Sequence, residues 1–192
     1  MQIRQTDLEG VLIIEPRVFH DDRGFFLEQW NAERYRAHGL PGQFVQDNLS
    51  CSRRGVLRGL HFQNPHAQGK LVTVLSGAVF DVAVDLRVGS PTFGRWTAVE
   101  LTAENRRQFY IPEGFAHGFL ALEDDTLVQY KCTAPYAPTA EQSLRWDDPD
   151  IAIAWPDLDP VLSPKDAAAP FLRELSEAKL FTYAPSGLVA AE

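Results

Sequence analysis

From Ala78 to Arg87 the residues Ala78, Phe80, Val82, Val84 and Leu86 alternate with Val79, Asp81, Ala83, Asp85 and Arg87. Successive side chains of a strand point to opposite faces, so this period of two predicts a strand with one apolar face. Shorter stretches rich in Val, Phe, Ile and Thr read the same way on either side: Val11–Ile14, Phe25–Trp30, Phe44–Ser52, Val56–Gln63, Leu71–Leu75, Trp96–Leu101, Phe109–Ile111, Gly118–Leu122 and Thr126–Cys132. Turn chemistry separates them. His20-Asp21-Asp22-Arg23-Gly24 and Gly89-Ser90-Pro91-Thr92-Phe93-Gly94 read as loops, and Gly77 as a tight turn between antiparallel neighbours. Short strands at this spacing predict an all-β sandwich or barrel.

Helix signals are few. Asn31 reads as the N-cap of a short helix that stops at Gly39 and Pro41. Residues from Asp147 to Pro164 are rich in Pro and Asp and predict an ordered surface excursion. Ser163-Pro164-Lys165-Asp166 then combines an N-cap serine, a proline at the first helical position and an acid two residues further on. Phe171–Leu180 reads as weakly helical. No repeat or low-complexity segment interrupts the chain, so the expectation is one domain over 1–192, with a barrel core at about 44–146 and a C-terminal excursion over 147–192.

The composition supports a large core: 45% of the 192 residues are hydrophobic, among them 12 Phe, 5 Tyr and 4 Trp. Net charge is -8 with pI near 5.1, which argues against generic binding to nucleic acid or anionic membranes. An anionic ligand must then be held by a local cluster of Arg and Lys. The two cysteines, Cys51 and Cys132, are far apart and form no CxxC pattern, so a disulfide framework is not expected and a reducing cytosol is. The N-terminal Met1–Asp7 stretch lacks an apolar signal region, and no apolar run is long enough to span a membrane. A cytoplasmic protein is the expectation.

Against the acidic background stands Arg58-Gly59-Leu60-His61-Phe62-Gln63, followed by Gln68-Gly69-Lys70. An arginine can clamp an anion, an imidazole can exchange protons near neutrality, and a lysine can stabilise a developing oxyanion. The same residues in an ordinary strand would be a hydrogen-bonded structural histidine and a solvated lysine.

Pro112-Glu113-Gly114-Phe115-Ala116-His117 resembles the later motif of cupins, where the histidine can bind a metal. Metal cupins pair it with His-x-His and a glutamate from an earlier motif. Here His61 is followed two residues later by Gln63, with His66 behind Pro65, which leaves too few ligands for a transition metal. No metal and no cofactor are expected.

Eight motifs in order resemble the dTDP-4-dehydrorhamnose 3,5-epimerase family, nucleotide-sugar enzymes built on a metal-free cupin barrel. They are Asp22-Arg23-Gly24-Phe25-Phe26-x-Glu28, Gln46-Asp47-Asn48, Gly55 to His61, Gln68 to Val72, Phe80 to Asp85, Ser90 to Gly94, Ile111 to Phe119, and Tyr130-Lys131. The resemblance spans Glu15-Pro16 to Lys165-Asp166 and implies a cupin-type double-stranded β-helix, or jelly-roll barrel, with short peripheral helices. It implies that C3 and C5 of dTDP-4-dehydro-6-deoxy-D-glucose are inverted by proton abstraction and return beside the C4 ketone.

By that resemblance His61 is the general base, Tyr130 the proton donor, Lys70 the group on the enolate oxygen, and Asp166 the carboxylate that orients His61. Asp166 also fits a helix-capping position, and the two roles are compatible only if its carboxylate reaches His61. Arg23, Phe26, Glu28, Gln46, Asp47, Asn48, Arg58, His117, Tyr136, Glu141 and Lys165 match substrate-contacting positions. Arg23 and Arg58 suit a pyrophosphate. The resemblance further implies a homodimer, with the Arg23–Glu28 segment completing the neighbouring subunit's site.

Two departures bear on specificity. Ala134-Pro135-Tyr136 keeps one aromatic where relatives commonly have two, and Phe62 stands where tyrosine is frequent. An epimerase acting at C3 or C5 alone, or a ketoisomerase on a related dTDP-ketosugar, shares most of these motifs. A metal-dependent cupin and a non-catalytic nucleotide-sugar binder are the readings from other classes.

Overall fold

In the computed structural model, which describes residues 1–184, the strands in chain order are β1 Gln2–Gln5, β2 Leu12–Glu15, β3 Val18–Asp21, β4 Gly24–Leu27, β5 Gln46–Ser52, β6 Leu57–Gln63, β7 Lys70–Ser76, β8 Ala78–Asp85, β9 Arg87–Val88, β10 Trp96–Thr102, β11 Gln108–Ile111, β12 Phe115–Ala121, β13 Thr126–Cys132, β14 Glu141–Ser143 and β15 Phe181–Thr182. A first antiparallel sheet has the order β1-β2-β11-β7-β13-β5, and a second β10-β8-β12-β6-β14. They face each other as the two layers of a cupin-type barrel. The first sheet begins at Gln2, so the barrel's layers include an N-terminal strand pair that lies well before residue 44.

Inward-facing positions from both sheets meet in one core. Val72 and Val74 of β7, Phe109 and Ile111 of β11 and Val128 of β13 pack against Val79 and Ala83 of β8, Val99 and Leu101 of β10, and Phe115 and Phe119 of β12. Burying side chains of this size stabilises the fold by about 1.5–3 kcal/mol each. The alternation in β8 has a different meaning from the expected one. Both faces are buried: Val79, Asp81 and Ala83 point between the sheets, while Val82, Val84 and Leu86 point outward under the C-terminal segment. The uniformly apolar face is therefore the outer one, and the face carrying aspartates is the inner one.

The C-terminal excursion is held by that outer face. Trp155 meets Phe80 edge-on at 5.8 Å and donates its indole N–H to the Trp146 carbonyl at 2.9 Å. Phe181 packs on Phe62, and Asn64 donates to the Leu180 carbonyl at 2.7 Å. Residues Phe171–Leu180 form two short 3₁₀ turns, Leu172–Glu174 and Glu177–Lys179, rather than an α-helix. The last eight residues assigned to the excursion lie outside the described ones.

Both helix starts match their expected caps. Asn31 accepts from the Arg34 N–H at the start of α1, Ala32–Arg36, and Ser163 accepts from the Asp166 N–H at the start of α2, Pro164–Ala167. Strand ends differ by a few residues. The turn expected at His20–Gly24 is the tip of a hairpin, with β3 before it and β4 after. Strands β1 and β14 carry no strong alternation and were not expected; neighbouring strands recruit them.

Candidate active site

At one end of the barrel interior the apolar core gives way to polar side chains around a cavity of about 620 Å³. Strand parity explains most of its lining. Gln46, Asn48 and Ser50 of β5 point in, whereas Asp47 points out and pairs with Lys131 at 2.9 Å. Lys70 shares the inward face of β7 with Val72 and Val74, and Tyr130 that of β13 with Val128.

Parity alone would put Arg58 and His61 on opposite faces, because they are three residues apart. Both nevertheless line the cavity. His61 pairs with His117 and Arg58 with Phe119, so β6 uses three steps where β12 uses two; β6 carries a bulge. Glycines make this possible. Gly59 has φ +125°, and a Cβ there would lie 2.5 Å from the Gly118 Cα. The bulge aims the arginine and the histidine into one space.

Across 105 residues of sequence, His61 Nε2 lies 2.6 Å from Asp166 Oδ1. The link is made by the chain around Val161, which bonds to Gly55 and Leu57 on the approach to β6 and carries α2 to the cavity. Ser163 caps the helix through the Asp166 backbone N–H, so the carboxylate itself is available to the histidine. Burial pushes the Asp166 carboxyl up, but hydrogen bonds from His61, Ser163 and the Gly59 backbone outweigh it and hold it below the usual carboxylate range.

Lys70 is 8% exposed, and its Nζ has a long contact of 3.5 Å to the His61 carbonyl. Burial lowers its pKa, opposed by the neighbouring acidic groups Cys132, Asp81 and Glu141. His117 is buried, with Nε2 2.9 Å from Asp81 Oδ1, and burial likewise lowers its pKa. Its ring meets Tyr130 edge-on at 6.3 Å. Burial raises the Tyr130 pKa, so the phenol keeps its proton.

At the mouth, Glu141 binds Lys165 at 2.6 Å and accepts from the Tyr136 hydroxyl at 3.0 Å. The Tyr136 backbone donates to Gln46 at 2.8 Å, which ties the aromatic loop to β5. Arg58 bonds Ser52 at 3.0 Å and the Cys51 carbonyl at 3.1 Å.

The structure thus brings together His61, Asp166, Lys70, Tyr130, Arg58, Gln46, Asn48, His117, Tyr136, Glu141 and Lys165. It does not bring Arg23, Phe26, Glu28 or Asp47 to this cavity. Arg23 pairs with Asp21 and Phe26 is 71% exposed, both on the β3–β4 hairpin, while Glu28 pairs with Arg34. The lining residues Gln63, Gln68, Ser50 and Phe119, and Asp81 behind them, were not singled out as site residues. For Asp81 the local pattern points the other way, since the alternation of β8 sets it opposite the apolar face, and only the packing of the two sheets turns it inward. Among the described residues no group of three or more His, Cys, Asp and Glu side chains is arranged to hold a metal ion. None of the described helices is long and apolar enough to cross a membrane.

The fold and the cavity define a cupin-type barrel whose interior is lined by a His–Asp pair, a tyrosine, a buried lysine and an arginine. Residues 5–174 match the family described as dTDP-4-dehydrorhamnose 3,5-epimerase. A relative of that name from Methanothermobacter thermautotrophicus is 59% identical over 152 residues, covering 79% of this chain and 82% of its own. One from Escherichia coli is 51% identical over 183 residues, covering 94% and 99%. A crystal structure of a dTDP-6-deoxy-D-glucose-3,5-epimerase from Legionella pneumophila, in complex with dTDP-4-keto-L-rhamnose, superposes with a TM-score of 0.93 at 52% identity, over 95% of this chain and 98% of that one. The chain belongs to the dTDP-4-dehydrorhamnose 3,5-epimerase family.

Proposed function

We propose that this protein inverts C3 and C5 of dTDP-4-dehydro-6-deoxy-D-glucose to give dTDP-4-dehydro-L-rhamnose. The observation that carries the reading is one cavity into which His61 projects from one sheet and Tyr130 from the other, with Lys70 buried beside them. Both inverted centres flank the C4 ketone, so each C–H is acidified by the enolate that its loss would leave. Inversion needs a proton taken on one face and returned on the opposite face, which two groups on facing sheets can do.

His61 acts as the base. An ionised Asp166 accepts from its Nε2–H, which leaves the Nδ1 lone pair for the sugar. Tyr130, protonated at neutral pH, returns the hydrogen. Lys70 faces the oxygen that becomes the enolate, where a cation in a water-poor site acts most strongly. Arg58 holds the pyrophosphate, and the Gln46 and Asn48 amides of β5 contact the nucleotide.

Arg23, Phe26 and Glu28 serve a second copy of the chain. Their hairpin lies outside this cavity and exposes Phe19, Phe25 and Phe26, which supports a homodimer with shared sites. We read the chain as a single epimerase domain acting in the cytoplasm.

Incubation with the dTDP-ketosugar in D2O tests the reaction. Deuterium should appear at both C3 and C5 by NMR, and His61→Asn should slow its entry about 100-fold or more. Label at one carbon alone would point to a mono-epimerase, and no label would exclude proton transfer.

A further inference from the structure

Three carboxylates approach the cavity, and two have evident partners. Asp166 holds His61, and Glu141 holds Lys165 and Tyr136. The third, Asp81, is fully buried on the inward face of β8. Its Oδ1 meets His117 Nε2 at 2.9 Å, and its Oδ2 is buried with no hydrogen-bond partner among the described residues. An ionised carboxylate left half-bonded in the interior is costly unless a cation shares its environment. Lys70 is that cation. It is buried, its only hydrogen bond among the described residues is the long one to the His61 carbonyl, and it lies within the field of Asp81.

We propose that Asp81 is a positioning residue for the epimerisation, the internal counter-anion that fixes the tautomer of His117 and keeps Lys70 cationic. The proposal rests on the reading of Lys70 as the group that stabilises the enolate. The carboxylate accepts from His117 Nε2–H, so His117 presents its Nδ1 to the cavity, beside the Tyr130 ring. The groups that face Lys70 from the surrounding strands are Asp81 on β8, Cys132 on β13, Glu141 on β14, His61 on β6 and His117 on β12. Burial raises the Cys132 thiol, which therefore stays neutral, and Glu141 is already paired. Among the described residues Asp81 is thus the carboxylate in the surroundings of Lys70 that no lysine or arginine claims.

The sign follows directly. Removing the anion makes the ammonium easier to deprotonate, so the cation needed for turnover is lost at a lower pH. The test compares kcat and KM against pH for the full-length wild type, Asp81→Asn, Lys70→Met and the double variant, with the dTDP-ketosugar as substrate. Asp81→Asn is expected to move the basic limb of kcat down by about one pH unit or more, a tenfold or greater loss above that limb. In the Lys70→Met background the same change should cost less than about threefold, because the two act as a unit.

An unshifted limb, with the same loss in both backgrounds, would reduce Asp81 to a packing residue and overturn the proposal while leaving the Lys70 role intact. A Lys70→Met variant as fast as the wild type would remove the enolate role itself and this inference with it. Should Asp81→Asn fold poorly, thermal melting decides. The double variant should melt above Asp81→Asn alone, since it no longer buries an uncompensated ammonium; a double variant no more stable than Asp81→Asn overturns the proposal.

Discussion

Replacing Asp166 with asparagine preserves the side chain's volume and removes its charge. The carboxylate is 4% exposed and 2.6 Å from His61 Nε2, so solvent does not replace what is lost. A hydrogen bond to a charged group contributes about 1.5–3 kcal/mol, against about 0.5–1.5 kcal/mol for a neutral one. The amide can also turn its NH2 toward Nε2. That selects the tautomer whose proton sits on Nδ1, the atom that under the proposed mechanism has to accept one. At about 1.4 kcal/mol per tenfold in rate, the difference of about 1–1.5 kcal/mol predicts a fall in kcat of about 5- to 12-fold, to which the unfavourable tautomer adds. KM should change by less than about threefold, because the carboxylate is committed to the histidine rather than to binding. The assay is the initial rate of deuterium entry at C3 and C5, with a thermal melt to exclude unfolding. Wild-type exchange by a folded Asp166→Asn protein would refute the proposed dyad.

Two further predictions concern the scaffold. Gly59→Ala places a methyl group 2.5 Å from the Gly118 Cα at φ +125°, so backbone strain alone should cost about 1–3 kcal/mol, with the clash added to it, visible as a lower melting temperature and lost turnover. Asp85 tests acid stability. Burial pushes its carboxyl up, but hydrogen bonds from Arg87, Ser90 and Thr92 prevail and hold it below its ordinary value. A group lowered on folding stabilises above its unfolded pKa of about 4 and loses that contribution as pH falls toward the lower folded value. Melting temperature should therefore drop below about pH 4, and Asp85→Asn should flatten that drop; an unchanged slope would contradict it.

Much of this protein can be read from its residues in order. The strand series, the Asn31 and Ser163 caps, and the cluster of Arg58, His61 and Lys70 stand out there, because period-two patterning, capping and motif spacing are local properties. Tyr130 has only the pattern of a strand aromatic and enters through the family resemblance. Four matters are not local. The meaning of the β8 alternation depended on what covers its outer face, and only the C-terminal segment carrying Trp155 decides that. The convergence of Arg58 and His61 depended on a bulge against β12, since regular parity would separate them. Asp166 meets His61 only because residues 161–166 return to β6 from far along the chain. Asp81 becomes conspicuous only when burial leaves one of its oxygens unpartnered. Side-chain type and periodicity determine which chemistry is available and which elements form. Which groups share a cavity is decided by the pairing of distant strands and by burial, because electrostatic and hydrogen-bonding energies depend on distances that no linear pattern contains.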